Sequence, residues 1–97
     1  MNDFKNRAQE AYSHLSDDKL RFWEKIKNSL TSLAGLELTN LSENDRKWFE
    51  GELIRINALF SKYDIEKYQD YENITKTDRK KLLDILFTMC TRIIEEV

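Results

Sequence analysis

The chain has 97 residues, 40% of them hydrophobic and 35% charged, with a formal net charge of −2. That composition belongs to a heavily ionised globule of one domain, not to a disordered tail, and it lacks the basic excess of a nonspecific phosphate-backbone binder. One His and one Cys exclude a structural zinc site, and the absence of Glu-x-x-His pairs excludes a di-iron bundle, so neither metal nor cofactor is expected.

With no Pro and only two Gly, helix breakers are scarce, and apolar residues recur at three- and four-residue spacing along most of the length. The first helix is expected from Asn2 or Asp3 to Leu15, with Phe4, Ala8, Ala11, Tyr12 and Leu15 on one stripe and His14 off it. Ser16 offers an N-cap for a second helix, with Asp17 and Asp18 in its first turn. That helix carries Leu20, Trp23, Ile26, Leu30 and Leu33 to about Ala34, where Gly35 is a natural stop. Leu36, Leu38 and Leu41 make the following linker apolar enough to lie across the bundle end. Ser42 with Asp45 starts the third helix, which places Phe49, Leu53, Ile56, Phe60 and Tyr63 on one face and Gly51 in its interior. Gly51 there reads either as a close-packing position or as a tolerated cost.

Residues 64–74 read as a long connection or a short fifth helix. Thr75 or Thr77 then caps a fourth helix that runs to the C-terminus. The expected fold is therefore all-α: a compact antiparallel bundle of four helices in a single domain covering 1–97.

Catalytic chemistry finds few carriers. Cys90 falls on the apolar side of helix four and reads as a small buried hydrophobe, and His14 reads as a surface side chain. No phosphate-cradling glycine loop or nucleophile elbow is present, so a non-enzymatic protein is expected. A lone cysteine and an N-terminus without an apolar core suggest a reduced, cytoplasmic setting. No apolar run approaches the roughly 18 residues of a membrane span.

Three features point toward partners. Glu52 projects into the apolar arc of helix three between Trp48, Leu59, Ile56 and Tyr63, where a carboxylate needs a partner. It reads as a rim glutamate meeting a cation or tyrosine of a neighbouring helix, or as a buried contact with a partner protein. Ten of the sixteen residues from Leu82 to Val97 are apolar, spread over about 200° of the helical wheel against the roughly 100° stripe of a surface helix. Either helix four is central, or a flank made by Leu83, Phe87 and Ile94 stays exposed as an adhesive surface.

The third feature is acidic and aromatic. Residues 35–74 carry nine anions against five cations, and Tyr63, Asp64, Glu66, Tyr68, Asp70, Tyr71 and Glu72 alternate tyrosine with carboxylate. Such a segment supplies contact area and steers a basic surface, or else packs onto the bundle end as a solvated connection. Arg79, Lys80 and Lys81 crowd the start of helix four against its dipole, as a solvated run or as a basic knob for an acidic partner.

Trp48-Phe49-Glu50-Gly51 is the string nearest to the Trp-x-Gly turn of the small secreted WXG-type bundles, with one residue too many and a helical setting. In size and architecture the chain resembles the small bacteriocin-immunity bundles, a likeness that transfers no individual residue. The functional expectation is a small bacterial or phage inhibitor or adaptor that binds another protein through residues 63–72 and the flank of helix four. The alternatives are an assembly subunit that homodimerises through helix four, an immunity-type bundle, and a weak nucleic-acid binder using Lys76, Arg79, Lys80 and Lys81.

Overall fold

The computed structural model describes residues 3–34, 36, 39 and 41–95, with residues 3, 4, 68 and 69 described by backbone alone. Gly35, Leu38, Val97 and the side chains of Phe4 and Tyr68 lie outside the described residues. Four α-helices follow one another: α1 (Asp3–Ser16), α2 (Phe22–Ala34), α3 (Glu43–Lys62) and α4 (Lys76–Glu95). A 3-10 helix, Tyr68–Asn73, lies between α3 and α4. The fold is the all-α four-helix bundle that the apolar periodicity predicts.

The caps explain where each helix begins and ends. Ser16 closes α1, its hydroxyl donating back to the Tyr12 carbonyl at 2.9 Å, and does not open α2 as its residue type suggested. Two stronger local acceptors take that role. Asp17 Oδ1 receives the Lys19 N–H at 2.9 Å to form a turn, and Glu24 Oε1 reaches back to the Arg21 N–H at 3.0 Å. Helix α2 therefore starts at Phe22 and leaves Leu20 in the connection.

At α3 the expected Ser42 cap is present: its side chain accepts the Asp45 N–H at 3.3 Å. The C-terminus of α3 is a Schellman motif, with Ile65 N–H donating to the Phe60 carbonyl and Asp64 N–H to that of Ser61. Asp64 occupies its left-handed position, at φ 50°, where glycine is the usual residue. At α4, Thr75 is the cap, its Oγ1 accepting the Asp78 N–H at 3.2 Å.

Helix α1 packs against both α2 and α4, and α3 packs against α4. The antiparallel sense of the last pair is fixed at both ends: Arg92 reaches Asp45, while Lys62 and Tyr63 reach Asp78. Small side chains let the bundle close tightly; Ala8 and Ala11 of α1 and Ser29 of α2 have no exposed surface. Leu82, Leu86, Met89, Cys90 and Ile93 place the inner face of α4 at the centre of the core, each 2% exposed or less. Burial of this kind is worth about 1.5–3 kcal/mol for each large aliphatic side chain. Leu36 and Leu41 of the α2–α3 linker pack on the same core, as their apolar character predicts. A Cβ added at Gly51 would meet nothing within 4 Å, which removes close helix packing as the reason for that glycine.

Candidate functional site

The acidic, aromatic segment turns Tyr63, Asp70 and Tyr71 toward the protein. The Tyr63 hydroxyl donates to Asp78, itself only 5% exposed, and lies 3.3 Å from Thr75 Oγ1. Lys62 Nζ donates to the same Asp78 carboxylate at 2.9 Å, and Lys81 stands 3.9 Å from its other oxygen. The Tyr63 hydroxyl and then the Lys62 ammonium hold the Asp78 carboxyl below the usual carboxylate range, and the Asp78 hydrogen bond raises Lys62 in return. This cluster clamps the end of α3 to the start of α4.

Asp70 accepts the backbone N–H groups of Glu66 and Lys67, both at 2.8 Å, and those two bonds lower its pKa. The Tyr71 ring meets Phe60 edge-on at 5.8 Å and Phe22 at 6.4 Å, tying the 3-10 helix to α3 and α2. Glu72 pairs with Arg79 at 3.6 Å. Of the seven residues singled out in this segment, Asp64, Glu66 and Glu72 have exposed side chains, although Glu72 pairs with Arg79 and the Glu66 backbone is part of the Asp70 turn.

Arg79 is a brace and not a basic knob. Its Nε–H donates to the Ile74 carbonyl at 2.9 Å and its Nη2 to that of Glu72 at 3.0 Å. Its guanidinium lies over the Phe22 ring, 5.1 Å from the centroid. Arg92 acts similarly at the other end of α4, 2.8 Å from Asp45 and 4.5 Å above the Trp48 ring.

Glu52 is 9% exposed, and Arg55 one turn along the same helix donates to both of its carboxylate oxygens at 3.0 Å. Its cation comes from its own helix and not from a neighbouring one. Together with Trp48, Lys81, Asp84 and Thr88 these two side chains line a shallow cleft of about 320 Å³ between α3 and α4. Cys90 is fully buried and desolvation pushes its thiol up to about 12, which leaves no thiolate at neutral pH. His14 is half-buried.

The flank of α4 is built differently. Leu83, Phe87 and Ile94 all pack on the core while remaining partly exposed. The Phe87 ring meets Tyr12 edge-on at 5.2 Å, and Tyr12 is itself 42% exposed. Leu83 and Phe87 form one wall of a groove of about 460 Å³, with Leu20, Phe22 and Lys25 opposite. Lys76, Arg79, Lys80 and Asp84 complete its lining, and Ile94 stands outside it. Leu20 reaches the groove from the connection before α2, and Phe22 from the first position of that helix, beside Arg79.

Sequence reasoning passed over Asp78 and the groove as a unit. The Thr75-x-x-Asp78 spacing is a capping signal that marks Asp78 as placed, but its burial and its tyrosine partner come from a helix fifteen residues away. The groove depends on the α1–α2 connection, which no periodicity reports.

Among the described residues no group of His, Cys, Asp and Glu is arranged to hold a metal ion, and no helix is long and apolar enough to cross a membrane. No protein-family model matches the chain, no curated protein matches it, and no solved structure matches it.

Proposed function

We propose that this protein is a small non-enzymatic binding module, an inhibitor or adaptor, that takes hold of another protein through the groove between the start of α2 and the flank of α4. The observation that carries this reading is the part-exposed apolar wall of Leu83 and Phe87 facing Leu20 and Phe22 across about 460 Å³. A concave, largely apolar surface with polar groups at its edge is the usual form of a recognition site. Its size suits the anchor side chains of a partner helix or loop. The buried, high-pKa thiol and the internally paired carboxylates fit a scaffold more readily than a reaction centre.

The test is capture of partners from a native lysate by the tagged protein and by a Leu83→Ser/Phe87→Ser variant whose helical circular dichroism matches the wild type. A stoichiometric partner held by the wild type and lost by the variant supports the reading. A partner held equally by both, or a dimer that Phe87→Glu dissociates with no other protein captured, moves the function to another surface or to self-assembly.

A further inference from the structure

Resting on that reading, we infer that the groove's occupant is an acidic amphipathic segment of a partner protein, with apolar side chains on its inner face and carboxylates beside them. Lys76, Lys80, Leu83 and Phe87 recur at spacings of 4, 3 and 4 on α4, so one stripe of that helix lines the groove and is basic in its first half and apolar in its second. Lys25 of α2 adds a third ammonium from the facing wall. None of the three lysines has a carboxylate partner among the described residues, whereas Arg79 beside them is committed to Glu72 and the carbonyls of the 3-10 helix. Among the described residues Asp84 is the one carboxylate in the groove's lining.

Three lysines without an ion-pair partner among the described residues, around an apolar floor with Asp84 beside it, are unexpected in a chain whose net charge is −2. An acidic segment complements both features at once: carboxylates meet the lysines as its apolar residues leave water. A nucleic acid strand would use the lysines, but of the two rings on which its bases could stack, Phe22 already carries the Arg79 guanidinium and Phe87 already meets Tyr12, and Leu20 and Leu83 offer no stacking face. The groove's sign is also opposite to that of residues 64–72, so a partner that fills it is chosen for negative charge.

The experiment is selection of a displayed random peptide library on the full chain and, in parallel, on a Lys25→Glu/Lys76→Glu/Lys80→Glu variant. None of the three side chains has an ion-pair partner among the described residues, and circular dichroism is used to check that the variant keeps its helical content. The expected result is enrichment on the wild type of peptides that combine Asp or Glu with a pair of Leu, Ile or Phe residues at helical spacing. The enriched peptide, labelled and titrated, should bind the triple variant at least about tenfold more weakly and lose affinity as salt rises. It should also lose affinity for Leu83→Ser.

Neutral or basic consensus peptides, or acidic ones that bind the triple variant equally, overturn the inference. So does tighter, lysine-dependent binding of a thymidine oligonucleotide or of phosphatidylglycerol vesicles. If a groove-dependent partner is captured from lysate and its docking segment is not acidic, this inference fails while the protein-binding reading stands. If no capture depends on the groove, that reading itself fails.

Discussion

The acidic stretch from Tyr63 to Glu72 and the flank of α4 look equally available in the sequence, and the fold treats them in opposite ways. In the first, side chains that suit a binding surface are engaged at home: Tyr63 on Asp78, Tyr71 between Phe60 and Phe22, Asp70 on two backbone amides, Glu72 on Arg79. In the second, residues that suit a core stop short of full burial and share a groove with lysines that have no acidic partner among the described residues. Residue type announces what a side chain can bind. Whether it is already bound depends on the neighbouring element.

If that contrast is right, the segment governs stability and the groove governs binding. The largest stability effect should come from Tyr71→Ala, which removes both ring contacts and should cost about 2–3 kcal/mol in urea denaturation. A cost under about 0.5 kcal/mol would mean that the 3-10 helix is only loosely docked.

The next effect is pH-dependent. Asp78 has a folded pKa below its ordinary 3.8, so its contribution is fully present above that value and fades as the pH falls through the lower folded value. Lys62 has a folded pKa above its ordinary 10.5, so its contribution is complete below that value and is lost as the pH rises through the higher folded one. The clamp should therefore hold at constant strength between about pH 4 and 10. Asp78→Asn should lower the thermal midpoint across that window, and its deficit should shrink in strong acid, where the wild type also loses the carboxylate. A deficit unchanged at pH 2 would assign the effect to packing instead of charge.

Asp64→Gly should act in the other direction, because the Schellman position favours glycine, and should stabilise by about 0.5–1 kcal/mol. Destabilisation would show that the Asp64 side chain has a role of its own. The smallest effect is expected in the groove: Lys76→Glu and Lys80→Glu should each change stability by less than about 0.5 kcal/mol, since both side chains are exposed and have no ion-pair partner among the described residues. A larger loss would make these lysines part of the scaffold.

Much of the scaffold is legible in the sequence, since helix existence follows from apolar spacing and local caps. Ser42 with Asp45, Thr75 before α4, and the packing of Leu36 and Leu41 on the core all rest on neighbours within a turn or on gross hydrophobicity. The start of α2 was less legible because Ser16, Asp17 and Glu24 compete to satisfy adjacent amides, and the winner depends on how the chain turns between α1 and α2. Glu52 was recognisable as a buried carboxylate, but its partner one turn along the same helix was not. The groove was half legible: Leu83 and Phe87 stand out on the wheel of α4, while Lys25, Leu20 and Phe22 join them only through tertiary packing.

The most direct test compares two folded charge-reversal variants against the partner captured by the wild type. One carries Lys76→Glu and Lys80→Glu in the groove, and the other carries Asp64→Lys and Glu66→Lys on the exposed side of the acidic segment. Association should slow about tenfold or more for the groove variant and stay within a factor of about two for the segment variant. The reverse order would place recognition on the acidic segment and contradict the assignment of binding to the groove.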